Sequence, residues 1–166
     1  MSAPVRTGIV PRVLREFGGI EVDTRSWPIL LVAFPSRPFS DACLASALTC
    51  VEGLLEPEGL SFQITDASLF REMPPAIQRK YAVEWAKRND LLFRARSVGG
   101  ANVAPSALVR GIFTAVHWFK PPPTPTVFVA TREEAMTHAV RALDAAGVSL
   151  PGSLAGRSTA AFLRDD

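Results

Sequence analysis

Few side chains in this sequence could do chemistry, and they are scattered. His117 and His138 are its only histidines, Cys43 and Cys50 its only cysteines. A metal site needs several converging His, Cys or carboxylate ligands. Two histidines on separate predicted helices, without Cys-rich spacing, give no reason to expect a metal or any other cofactor. The cysteines fall on one predicted helix seven residues apart, too far along it at about 1.5 Å per residue to form a disulfide. Neither has a Cys-x-x-Cys partner, so both are expected as reduced thiols. Ser106 stands in Ala-Pro-Ser-Ala-Leu rather than on a Gly-x-Ser-x-Gly turn, which fits a residue bonding the free amides of a helix start better than a nucleophile. No acid, base and nucleophile converge, so the expected role is non-enzymatic.

Side chains suited to binding are more concentrated. Trp118 and Phe119 precede Lys120 and the run Pro121-Pro122-Pro123. Aromatics beside proline make a stiff apolar corner that loses little entropy on binding, which suits a protein partner; the competing reading is that both rings seal the end of the core. Arg110 lies in an otherwise apolar helix leading to this corner. A charge there needs a counter-ion or water, and Asp66 at the end of a strand is a candidate counter-ion. A second candidate site joins Gly99, Gly100, Ser106, Arg110 and Trp85. A Gly-containing loop feeding a helix N-terminus can attract anions, and an apolar pocket with one cation would take an anionic or lipid-like ligand. The spacing matches neither a P-loop nor a dinucleotide fingerprint, and a plain strand-to-helix connection competes with the ligand reading.

Charge narrows the choice of partner. The 18 basic and 16 acidic residues leave a net charge of +2, too little field to favour a nucleic acid backbone. The longest apolar run, from Pro28 to Pro35, is far short of the roughly 20 residues that cross a bilayer, so no integral membrane segment is expected. The N-terminus carries no basic patch followed by an apolar core, and the expectation is a cytoplasmic protein. At 166 residues, 48% of them hydrophobic and 20% charged, the chain can bury one ordinary core without disulfides or a metal.

The elements that must position these residues follow from periodicity. Residues 1–18 are expected as an N-terminal arm, 19–146 as one α/β domain, and 147–166 as a flexible C-terminal tail in which Leu150, Leu154 and Phe162 could dock. Ile20 to Asp23 alternates as a half-exposed strand, and Pro28 to Phe34 is a continuous apolar run suited to a central strand covered on both faces. Ser40-Asp41 opens a helix with Leu44, Ala47, Leu48, Val51, Leu54 and Leu55 at helical spacing. Leu60 to Thr65 alternates with period two, giving a strand with one polar face. Ile77, Tyr81 and Trp85 recur every four residues along one helical face after Pro74-Pro75. Phe93 to Val98 and Ala101 to Val103 flank Gly99-Gly100 as a strand with a bend or bulge. Pro105-Ser106 starts a helix whose apolar side is Leu108, Val109, Ile112, Ala115, Val116 and Phe119. Lys120 to Pro125, four of its six residues proline, must turn in extended form. Thr126 to Ala130 is a last strand, and Thr131 with Glu133 and Glu134 begins a last helix with Ala135, Ala139, Leu143 and Ala146 inward.

This alternation, with Asp66 closing a strand, resembles the STAS-like α/β domains, the group that includes anti-sigma-factor antagonists. A bacterial subgroup of small STAS-like proteins is similar through Trp85-Ala86-Lys87-Arg88-Asn89, Pro105-Ser106-Ala107-Leu108-Val109-Arg110-Gly111, Thr114-Ala115-Val116-His117-Trp118, Pro121-Pro122-Pro123 and Thr131-Arg132-Glu133-Glu134-Ala135. The resemblance covers roughly residues 19 to 146. It implies a mixed β-sheet packed by about four helices, used in signalling or regulation to bind a protein partner or sense a small ligand, and it implies no catalysis. Antagonists of this group carry a phosphorylated Ser or Thr after an Asp. Asp66-Ala67-Ser68 is the local look-alike, but the following Gly is missing, so the phosphorylation switch is not carried over.

Overall fold

Gly18 and Gly19 both adopt positive φ, 60° and 94°, the backbone a two-residue hairpin turn requires and glycine supplies without steric cost. They join β1 (Leu14–Phe17) to β2 (Ile20–Asp23). The computed structural model describes residues 10–152 and 154. Within them β3 (Ile29–Ala33), α1 (Asp41–Leu55), β4 (Ser61–Asp66), α2 (Ala76–Arg88), α3 (Asp90–Arg96), β5 (Ser97–Val103), α4 (Ala107–Phe119), β6 (Thr126–Val129) and α5 (Arg132–Ala145) follow in order. One mixed six-stranded sheet runs β1-β2-β3-β4-β5-β6, antiparallel across its first two pairings and parallel across the rest.

The strands lie side by side in the order of the chain, and parallel crossovers are right-handed. The helices that link β3 to β4, β4 to β5 and β5 to β6 therefore share one face of the sheet. α5, which follows the last strand, turns to the other face. The core divides accordingly. Leu30 and Val32 of β3 pack with Leu44, Leu48, Val51 and Leu55 of α1, whereas Ile29, Phe62, Ile64, Ala101, Val103 and Val129 pack with Ala135, Ala139 and Leu143 of α5. The expected central strand is thus covered on both sides, and α5 buries the predicted small residues because a helix lying flat on a sheet needs short side chains at the contact.

Local signals place most helix starts. The Ser40 side chain accepts a hydrogen bond from the Cys43 amide at 3.1 Å, Ser106 from Val109 at 3.2 Å and Thr131 from Glu134 at 3.2 Å, so each polar cap satisfies an amide the helix leaves free. Cys43 and Cys50 are half-buried free thiols on α1.

Several expectations need correction. Leu14–Phe17, assigned to the arm, is a strand, with Arg15 opposite Val22 and Phe17 opposite Ile20. Phe93 to Arg96 is helical rather than extended: good helix formers and the Arg94 Nε to Asp90 Oδ2 contact of 2.7 Å, one turn apart, continue the helix until Ser97. The bulge falls at Val98, because Ser61 pairs with Ser97 and Phe62 with Gly99. Ile77 is 64% exposed; Gln78 donates to the Phe39 carbonyl at 2.8 Å and to Asp41 at 2.9 Å, which turns the first residues of α2 so that Gln78, Val83 and Trp85 face inward. At the other end Val148 and Leu154 are buried with the α5 core, so the segment read as a flexible tail is packed at those positions, while Phe162 lies outside the described residues.

Asp66 is buried at the end of β4. Its carboxylate pairs with Arg132 Nε and accepts from the Ser68 amide at 2.8 Å. The expected partner, Arg110, donates to the Ala104 carbonyl instead, at 3.1 Å. Asp66→Ala is expected to cost about 1–3 kcal/mol by stranding that amide, seen as a lowered thermal midpoint. Arg132→Ala should cost less, since Arg132 is 44% exposed. Equal losses would mean that the ion pair, not the amide, holds this corner.

Candidate functional site

The polar face of the sheet dictates the geometry of the site. By register Gln63 sits beside Gly100, which sits beside Thr126, and Thr65 sits beside Asn102. These residues point toward the crossover helices. The polar stripe read as solvent-facing on β4 is therefore roofed by α2 and α4, and a roof over polar groups cannot close as tightly as one over leucines. α4 accordingly buries only Val109 and Ile112. Leu108, expected on its apolar side, is exposed, and Ala115 and Val116 are half-covered.

The far end of α4 carries the corner. Lys120 closes the helix, its amide donating to the Val116 carbonyl at 3.0 Å, and Pro121 prevents continuation. Lys120 Nζ pairs with Asp90 and bonds the Pro121 carbonyl at 2.8 Å, while Arg94 Nη1 reaches the Pro123 carbonyl at 3.2 Å. Lys120 and Arg94 together hold the Asp90 carboxyl below its ordinary pKa. The proline turn is thus clamped to α3. Just before it, at the end of α4, Trp118 is 84% exposed and Phe119 75% exposed, with Pro121 and Pro122 also exposed and Pro123 half-covered. Neither ring seals the core.

Phe119 also lines a groove of about 450 Å³ between α2 and α4, walled by Val83, Ala115 and Val116 and bordered by Arg79 and Lys80. Periodicity could not reveal this groove, since nothing in either helix says which other helix it lies beside. Arg110 is exposed near the opposite end of α4, eight residues before Trp118 and about 12 Å along the axis. The residues assigned to one partner surface thus fall into a corner at the helix end and a separate arginine.

Of the five residues assigned to a ligand site, Trp85 and Gly100 line a common cavity. Ser106 caps α4 and Arg110 bonds back to Ala104. Gly99 faces the α5 side, where a Cβ would come within 3.1 Å of Phe62 and of the Pro125 carbonyl. It serves close strand packing rather than a loop open to ligand.

His117 lies between Phe113 and Phe128, with ring centroids 6.3 and 5.7 Å away, and burial lowers its pKa below the ordinary 6.5. The unfolded chain therefore takes up this proton more readily than the folded one, and the stability His117 supports is present above about pH 6.5 and lost as pH falls through the folded value. His117→Phe, which keeps a ring in place, is expected to flatten the drop in urea midpoint between about pH 7 and pH 5.5. An unchanged slope would assign the drop to other groups. His138 is exposed on α5. Among the described residues no group of three or more His, Cys, Asp or Glu is placed to hold a metal ion, and no helix is long and apolar enough to cross a membrane.

No protein-family model, curated protein or solved structure matches the chain.

Proposed function

We propose that this chain is a STAS-like regulatory or adaptor domain that binds a protein partner through Trp118, Phe119 and Pro121–Pro123, and that it acts without catalysis. The observation that carries the reading is the exposure of two adjacent aromatic side chains at the end of α4, next to a proline turn that is clamped rather than loose. An exposed Trp-Phe pair is costly to leave in water, and large aromatics on a pre-ordered backbone are the residues that dominate binding energy in interfaces. Arg79 and Lys80 beside the Phe119 groove favour a partner segment that is apolar with acidic flanks. The STAS-like resemblance supports the same class of role, since those domains mostly bind proteins.

The test compares retention of host proteins by the wild type, by Trp118→Ala and by His138→Ala, which alters the opposite face. A partner kept by the wild type and by His138→Ala but lost from Trp118→Ala supports the reading. Retention by all three, or concentration-dependent self-association that Trp118→Ala abolishes, overturns it in favour of another surface or a second copy of the chain.

A further inference from the structure

β6 ends the sheet, and among the described residues β5 is its one strand neighbour. The Pro125 and Val129 carbonyls accept from the Gly100 and Ala104 amides of that side at 2.9 and 2.8 Å. Backbone groups alternate sides along a strand, so Val127 faces β5 as well, and the N–H and C=O of Thr126 and Phe128 point away from the sheet. No turn, cap or side chain among the described residues bonds them. Cover from the helices is incomplete here. Val127 is half-buried against the α5 core, and Phe128 is 44% exposed although its ring meets Phe113 and His117 of α4, at centroid distances of 6.0 and 5.7 Å.

An open edge is a template for another strand, and native sheets guard it with charges, prolines or bulges. The two edges of this sheet differ in that respect. β1 carries Arg15 and Glu16. Thr126-Val127-Phe128-Val129 has no charge and no proline, its register with β5 runs without a bulge, and it is built of the β-branched and aromatic residues that favour pairing.

We propose that β6 pairs antiparallel with β6 of a second copy of the chain, about a two-fold axis at Val127, and so joins two sheets into one. In that register Thr126 of each copy exchanges its N–H and C=O with Phe128 of the other, which bonds every outward backbone group of the strand. Each Phe128 ring then lies beside a Thr126 side chain across the new pairing, an aromatic to β-branched contact that stabilises sheets. A second copy suits this edge better than a foreign strand because the strand is its own complement. Being uncharged, it brings no like charges together when paired with itself. It is also bounded by Pro125 and by Thr131, the cap of α5, so the register centred on Val127 is the one that uses both outward residues. The charged β1 edge on the far side keeps such a dimer from growing into a fibre. This surface is separate from the Trp118 corner, and either can fail without the other.

The test combines sedimentation velocity of the full chain, from micromolar to near-millimolar concentration, with amide hydrogen exchange of Thr126 and Phe128 followed by NMR. The expected result is a monomer–dimer equilibrium in which both amides exchange fast when dilute and become protected as the dimer fills. Thr126→Pro removes an outward N–H and, within its own chain, only the hydroxyl bond to the Thr124 carbonyl. It should weaken dimerisation at least about tenfold, since each copy loses a hydrogen bond. Trp118→Ala should leave the equilibrium unchanged. If Thr126→Pro fails to fold, Phe128→Lys, which places a charge on each side of the pairing, is expected to give the same loss, and the wild-type exchange data decide without either variant. A chain that stays monomeric at every concentration overturns the proposal. So does a dimer in which the two amides remain unprotected or which Trp118→Ala abolishes, because another surface then forms it. Protection already complete in the monomer overturns it as well, since the chain itself would then cover the edge.

Discussion

Trp118→Ala is expected to weaken partner binding about 30-fold or more while leaving the thermal midpoint unchanged within experimental error. Truncating an aromatic at the centre of an interface typically costs ~2 kcal/mol or more, and each ~1.4 kcal/mol is a factor of ten in affinity. Stability should not respond, because a side chain 84% exposed contributes little to the core and surface substitutions usually stay within about 0.5 kcal/mol. Phe119→Ala is expected to fall between the two, since Phe119 lines the α2–α4 groove and has some packing to lose. Titration calorimetry against the captured partner and a thermal melt of each variant give both readouts. A lowered midpoint for Trp118→Ala would place the ring in the fold rather than at an interface, and unchanged affinity would remove the corner from the binding surface.

The opposite behaviour is expected at Leu143. It is fully buried on α5 and packs in one cluster with Ile29, Phe62, Ile64, Ala101, Val103 and Val129. Leu143→Ala removes three carbon atoms and leaves a cavity that a helix spaced by Ala135 and Ala139 cannot collapse into, for a cost of about 2–5 kcal/mol. That is a large share of the ~5–15 kcal/mol by which a domain is stable, and it corresponds to a fall in thermal midpoint of roughly 5–15 °C at this size. A loss below about 1 kcal/mol by urea titration would show that α5 adjusts its seat on the sheet. Partner binding at a temperature where the variant remains folded should be unaffected, because α5 and the Trp118 corner lie on opposite faces.

Elements governed by local patterns were legible in the sequence. Ser40, Ser106 and Thr131 cap the helices they announce, the apolar run of β3 is buried from both sides, and Ala135, Ala139 and Leu143 line the inner face of α5. The mixed α/β class follows from that alternation. What escaped depends on which elements become neighbours. Asp66 pairs with a residue 66 positions away, a choice set by the end of β4 lying near the start of α5, so the nearer Arg110 was a plausible but wrong partner. The apolar side of α4 was overestimated because its periodicity is genuine, yet the surface beneath it is Gln63, Thr65, Asn102 and Thr126 rather than a second apolar layer. The prolines of the corner announced a turn, but its clamping needs α3, which the strand pattern of Phe93 to Val98 concealed.

The placement of α5 also bears on how the chain is made. Each crossover helix is synthesised between the strands it covers, so that face of the sheet is roofed as it grows. The face of Phe62 and Ile64 has to wait for a helix that begins only after β6 is finished. From Asp66 to Ala145 is 79 residues, which at ~5–20 residues per second on the ribosome takes roughly 4–16 s. During that interval a half-covered sheet, with an unpaired edge on its latest strand, is the species a chaperone would meet and the one most prone to stick to its neighbours.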